Sequence, residues 1–379
     1  MGKEYRAYRF RLYPDRDQQI QLARTFGCCR FIYNRMLEDK IRQYEKDKTM
    51  LRTTPARYKE EYPFLKEVDS LALANEQLHL EAAYRNYFRD PSVGFPRFKA
   101  RHHNRMTYTT NMVNGNIRLA GRRLKLPKMR PLRIIVHRDV PKDGRLKSVT
   151  VTKEPSGRYY ASLLYEVDAC ENQAGAVIRE DKVVGMDFAL AGLGVFSDGA
   201  RAEYPMCYRK AEARLAREQR KLSRCEKGSR NYEKQKRRLA RCHEKIRNQR
   251  WDFQNKLCFR LAEKYDAVCI ETLDMKGMSR GLHFGKSVMD NANGRFRRIL
   301  EEKLARRGKA IVRVDRFYPS SKTCSCCGRV KEDLKLSDRV YVCPCGYQGD
   351  RDVNAAINLR QEGIRILQET GGRIQPALS

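Results

Sequence analysis

Five of the chain's thirteen cysteines fall between residues 324 and 345. Cys324-Ser-Cys-Cys327 is a C-x-x-C pair and Cys343-Pro-Cys345 a C-x-C pair, with fifteen residues between them. Gly328 and Gly346 directly follow the two pairs. Tetrahedral zinc takes four thiolates presented by tight turns, and a glycine after each pair relieves such a turn sterically. The pair–spacer–pair pattern predicts a zinc ribbon. Four protein sulfurs leave no open position for a substrate, so Cys324, Cys327, Cys343 and Cys345 describe a structural zinc site. The second pair is one residue short, which leaves Cys326 as an alternative ligand.

Directly after the ribbon, Asp350-Arg-Asp352-Val-Asn-Ala-Ala-Ile-Asn places carboxylates at the start of a predicted helix whose apolar side is Ala355, Ala356, Ile357 and Leu359. Such an aspartate has an ordinary use as a helix cap. Two other acids occupy related settings. Val183-Val-Gly-Met186 reads as a buried strand ending in Asp187, and Tyr265-Asp-Ala-Val-Cys-Ile270 as a second ending in Glu271. A strand-end aspartate also forms turns. Taken together, three carboxylates from two parallel strand ends and one helix start converge at the carboxyl edge of a sheet. Converging carboxylates repel unless cations neutralise them. Asp187, Glu271 and Asp352 are therefore expected to hold two Mg²⁺ ions, about 3.5–4 Å apart, for phosphodiester hydrolysis.

The elements that must position these residues can be read in order. Residues 3–12 alternate as a strand with one basic face. Residues 13–90 form a helical segment opening at Asp15, with helical patterning again over 71–88. Between 91 and 170, short strands are predicted at 107–110, 117–119, 124–126, 132–136, 148–152 and 159–166. Turn signals such as Asn114-Gly115 and Ala120-Gly121 separate them. The first strand completes a small β-barrel from these pieces, with the helical block as an insertion. Residues 171–180 read as a linker. A nuclease-type α/β domain spans 181–316. Residues 209–250 carry 17 Lys/Arg against five Glu. Apolar residues recur at seven-residue steps in Leu215 and Leu222 before Gly228-Ser229, and again in Tyr232, Leu239, Ile246 and Phe253, predicting a basic helical hairpin over 209–260. A helix follows Gly294, then a strand over 310–314, the ribbon over 317–349, a last helix over 350–365 and a flexible tail over 366–379. This order of strands, helices and acids resembles an RNase H-like sheet with the ribbon inserted before its last helix.

Composition narrows the partners. The 379 residues have a formal charge of +33, from 79 Lys/Arg against 46 Asp/Glu. Basic residues are spread along the whole length, so the reading is a large nucleic-acid footprint rather than one localisation tag. No 18-residue apolar run and no signal peptide precede or interrupt the pattern, which sets aside a membrane partner. An odd cysteine count with scattered remaining thiols fits a reducing, cytoplasmic setting.

VVGMDFAL, VCIETLDMKGM, VDRFYPSSKTCSCCG and CPCGYQGDRDVNAAIN resemble the successive carboxyl-terminal motifs of the TnpB (OrfB) proteins of insertion sequences, relatives of type V CRISPR effectors. YRFRLYP, FGCCRFIYNRML and FPRFKAR resemble their less specific amino-terminal motifs. The resemblance implies a monomeric ribonucleoprotein in which a guide RNA selects double-stranded target DNA. It implies a RuvC-like domain with Asp187, Glu271 and Asp352 as catalytic acids, and zinc on Cys324, Cys327, Cys343 and Cys345. It implies further that the barrel (a wedge domain) and its helical insertion (a recognition domain) hold the RNA and read a short flanking DNA motif. A guided DNA-binding regulator without cutting, and a structure-selective nuclease or transposition factor without RNA, are the alternatives. The first would lack one of the three acids.

Overall fold

The computed structural model describes residues 2–101, 105–168, 177–189, 192–272, 293–335, 337–372 and 374–375. Linker residues 171–176, the VCIETLDMKGM motif from Leu273 onward and tail residues 376–379 lie outside the described residues. The chain divides into two units, Met1–Cys170 and Glu171–Ser379.

In the first unit, β1 (Lys3–Tyr13) turns Phe10 and Leu12 into the core, as the alternation of its residues requires. Asp15 then caps α1 (Arg16–Asp47) through a capping box, its side chain accepting from the Gln18 N–H while the Gln18 side chain accepts from the Asp15 N–H. A short α2 (Tyr58–Glu61) and α3 (Ser70–Arg89) complete the helical block. Six strands follow at the predicted places: β2 (Met106–Asn111), β3 (Arg118–Ala120), β4 (Arg123–Lys125), β5 (Leu132–Ile135), β6 (Arg145–Lys153) and β7 (Tyr159–Asp168). They pair antiparallel in the order β2-β6-β7-β1-β5-β4-β3, so β1 lies inside the sheet between two later strands. The expected barrel takes the form of this seven-stranded sheet. Among the described residues no pairing joins its edge strands β2 and β3. Apolar residues of α1, α3 and the sheet form one core that includes Leu22, Ile32, Leu73, Leu80, Val149 and Leu163.

The second unit starts with β8 (Ile178–Arg179), β9 (Val183–Asp187), β10 (Gly194–Phe196) and β11 (Arg201–Ala202). The basic hairpin follows as α4 (Cys207–Ser223) and α5 (Arg230–Lys264), with Leu215 and Ile246 buried at the expected steps. Next come β12 (Ala267–Glu271), α6 (Asn293–Ala305) and β13 (Ala310–Val314). Five strands form one sheet in the order β11-β10-β9-β12-β13. Strands β9, β12 and β13 run parallel, whereas β10 pairs antiparallel with β9. The buried strands read as unbroken apolar runs because helices cover them. The ribbon contributes β14 (Val340–Val342) and β15 (Gln348–Asp350), and α7 (Arg351–Glu369) crosses back over the sheet.

Several boundaries differ from the expectation, beginning with the hairpin helices, which span Cys207–Lys264 rather than 209–260. Helix α7 runs to Glu369 rather than 365. Beyond it, β16 (Ile374–Gln375) pairs in parallel with β8, so part of the expected tail and part of the expected linker are ordered together. Burial is the reason: Ile178 and Leu367 join Val183, Ala267 and Val312 in a small core, with Ile374 packed against it.

Candidate functional site: an acid edge latched to a four-cysteine ribbon

Strands β9 and β12 pair in register up to Met186 and Ile270. The next residues on each are Asp187 and Glu271, so parallel pairing sets these two carboxylates side by side at the carboxyl end of the sheet. The third acid arrives from a helix running the opposite way along β9. The Arg360 guanidinium donates to the carbonyl oxygens of Val183 and Glu180 at 2.9 and 2.8 Å. One turn earlier, Ala356 lies against Gly185; a Cβ on that glycine would sit 1.9 Å from the Ala356 carbonyl oxygen. Four helical residues rise about 6 Å and two strand residues about 6.6 Å. One further turn back along α7 therefore brings Asp352 level with Asp187. Gly363 makes the matching approach to β12, where an added Cβ would meet the Cys269 Sγ at 2.1 Å.

Electrostatics reflect the convergence. Burial first, then the charges of Glu271 and Asp352, push the Asp187 carboxyl well above the usual carboxylate range. Arg351 and the Phe188 N–H pull in the other direction. Burial likewise raises Glu271, against the Phe188 N–H. Arg351 contacts Asp352 at 3.4 Å. Like charges held together in this way favour a bound cation. Their oxygens do not form a tight cluster: among the described residues, only the four cysteines have ligand atoms all within 4.8 Å of one another.

The two aspartates of the last motif have different surroundings. Asp350 is the N-cap of α7, accepting from the Asp352 and Val353 N–H groups at 3.0 Å and pairing with Arg201 at 2.7 Å. Asp352, in the first turn, is close enough to Asp187 for its charge to act on that carboxyl. The cap and the acid-cluster roles that the sequence offered for one residue thus fall on two.

In the ribbon, the Cys324, Cys327, Cys343 and Cys345 thiols gather, while Cys326 is exposed and outside the group. Sγ separations are 3.7 Å for Cys324–Cys345 and 3.6 Å for Cys327–Cys343. A tetrahedron with Zn–S bonds of about 2.3 Å has edges of about 3.8 Å, close to these two separations, and all four thiols lie within 4.8 Å of one another. Gly328 (φ 73°) and Gly346 (φ 93°) occupy the left-handed turns after each pair and donate to the Cys324 and Cys343 carbonyls. Although burial opposes its ionisation, backbone N–H groups of Cys327 and Cys326 bring the Cys324 thiol down to about 7. Cys343 goes up to about 12: despite the Cys345 N–H, burial and the neighbouring thiols disfavour another thiolate. A cation would relieve that repulsion.

Residues 162–281 match the family described as "Probable transposase", 294–359 the "Cas12f1-like, TNB domain", and 1–49 a "Helix-turn-helix domain". Within 1–49 the chain folds as β1 and the single 32-residue helix α1. A Streptomyces pristinaespiralis protein named "Putative RNA-guided DNA endonuclease" is 35% identical, covering 96% of this chain and 90% of that protein. "Putative RNA-guided DNA endonuclease InsQ" of Escherichia coli K12 is 31% identical, covering 96% and 94%. The fold resembles the protein in a Cas12f1–sgRNA–target DNA complex, with a TM-score of 0.56 at 14% identity over 90% of this chain and 83% of that one. Near-complete alignment with these relatives at 31–35% identity makes the chain a member of the TnpB family of insertion-sequence proteins.

Proposed function

We propose that the protein is an RNA-guided DNA endonuclease that hydrolyses phosphodiester bonds with Mg²⁺ ions held by Asp187, Glu271 and Asp352. The observation that carries this reading is the convergence of three acids at one sheet edge, with Asp187 pushed up by burial and by both neighbours. Each acid alone has an ordinary structural use; three in register do not. Bound Mg²⁺ supplies the charge that activates water and stabilises the departing oxygen. The chain's own part is to fix the two strand-borne carboxylates in register and to hold the helix-borne one level with them. The four-cysteine ribbon holds a structural zinc ion.

The partners follow from charge and kinship. A formal charge of +33 calls for a large polyanion, and RNA bound throughout would neutralise much of it. Relatives carry RNA-guided names, and the fold matches a protein solved with guide RNA and target DNA. In this reading the first unit, as wedge and recognition domain, holds the RNA and reads a short motif beside the target, and one chain forms the ribonucleoprotein. On the same reading the protein works on DNA in the prokaryotic cytosol; no helix among the described residues is long and apolar enough to cross a membrane.

The test is to express the chain with its flanking genomic DNA, purify it and sequence the copurifying RNA. One abundant species with a variable end, directing Mg²⁺-dependent cutting of matching DNA, is the expected result. Heterogeneous RNA, or cutting that ignores the variable end, would overturn guidance. Loss of cutting with retained binding in Asp187→Ala is expected of a metal ligand; unimpaired cutting would remove Asp187 from the site.

A further inference from the structure

The last motif contains two asparagines that neither the acid edge nor the ribbon uses as a ligand. Asn354 and Asn358 are 0% and 1% exposed. With Gln361 they lie at i, i+4 and i+7 on α7, which is one face of a helix. All three bond to the backbone around the first cysteine pair. Asn354 donates to the Thr323 carbonyl at 2.7 Å and accepts from the Ser325 N–H at 2.9 Å. Asn358 donates to the Ser320 and Thr323 carbonyls at 2.8 and 2.6 Å. Gln361 adds an exposed bond to the Ser325 carbonyl at 3.2 Å. Cys324 lies between the bonded Thr323 and Ser325, and Asp352 is two residues before Asn354.

We propose that Asn354 and Asn358 are positioning residues that tie the placement of Asp352 to the metal-bound state of the ribbon. The four-cysteine group sets the path of residues 320–325, and that path is the template for the buried amides. If the ribbon loses its metal, its backbone has no reason to keep this course, and two buried amides lose their partners. A buried polar group without a partner carries its full desolvation cost, so the start of α7 would shift rather than stay. The coupling is reciprocal, since removing the amides must also weaken metal retention by the ribbon. The inference rests on the nuclease reading for the role of Asp352, but the amide bonds and the cysteine group stand without it.

The test uses full-length chain purified with its copurifying RNA, comparing Asn354→Ala, Asn358→Ala, Gln361→Ala and Asp352→Ala. Zinc release to a chelator is read alongside DNA binding, cleavage and the Mn²⁺ concentration for half-maximal cleavage. Both asparagine variants should release zinc faster, bind DNA like wild type, and need about tenfold more Mn²⁺. Gln361→Ala should stay near wild type, because water replaces an exposed bond. A purely structural role would lower binding and cleavage together and leave the Mn²⁺ midpoint in place, which would overturn the proposal. Unchanged zinc release would overturn it too. Unimpaired cleavage by Asp352→Ala would sink the nuclease reading and the positioning role with it. Unchanged asparagine variants beside an inactive Asp352→Ala would sink the positioning role alone.

Discussion

Gly185→Ala tests the idea that backbone contact between β9 and α7 sets the acid edge. The new methyl carbon would lie 1.9 Å from the Ala356 carbonyl oxygen and 2.6 Å from the Arg360 nitrogen. Both are backbone atoms of the same helix, so no side-chain rotation relieves the clash. Ordinary contact begins near 3.4 Å, which requires α7 to back away by about 1.5 Å. Overpacking of this kind costs about 1–3 kcal/mol. For a unit of some 200 residues that lowers Tm by about 3–10 °C. Asp352 is one turn from the collision, and a misplacement of about 1 Å at a reacting centre costs on the order of 10²-fold in rate. The assay is single-turnover cleavage of a target matched to the copurified RNA, beside a binding measurement and a melting curve. The expected result is a lower Tm, retained binding and cleavage down about 100-fold. Cleavage within about threefold of wild type at an unchanged Tm would show that α7 does not rest on Gly185 and would refute the register argument.

Other consequences can be checked in the same way. Asp350→Asn keeps a good N-cap and should retain cleavage, whereas Asp352→Asn should abolish it; equal losses in both would contradict the division of roles. Because the folded-state pKa of Asp187 lies above its unfolded value, the metal-free protein should lose stability as pH rises from about 4 through that raised pKa. Asp187→Asn should flatten this pH dependence in melting curves, as should added divalent ion in wild type, and a wild-type profile already flat would count against the cluster. Cys343→Ser should leave the chain without zinc by elemental analysis and destabilise the second unit, while Cys326→Ser should keep the ion. Gly27 lies within α1 with nothing inside 4 Å of an added Cβ, so Gly27→Ala should stabilise the first unit by about 0.5–1 kcal/mol. A lower Tm there would mean the helix is bounded by something other than solvent.

Much of this protein is local and was legible as such. Cysteine spacing and the two glycines specify zinc turns because a metal site of this kind is built from neighbours in sequence. Asp15 announced α1, and turn signals placed six strands of the first unit, because caps and hairpins are short-range devices. The buried strands ending in Asp187 and Glu271 were readable as unbroken apolar runs, and the motif resemblance supplied their joint role. Their register was not readable, since parallel pairing joins residues more than eighty positions apart. The motif resemblance picked Asp352 over Asp350; residue type and spacing alone did not, because a cap and a cluster acid are the same residue type two positions apart on a helix start. The packed structure adds the physical reason, through the helix axis that Gly185 and Arg360 impose. The pairing of Ile178 with Ile374 and the reach of Asn354 and Asn358 into the ribbon belong to the same class. They join residues far apart along the chain, where burial and unsatisfied hydrogen bonds, rather than local preference, set the geometry.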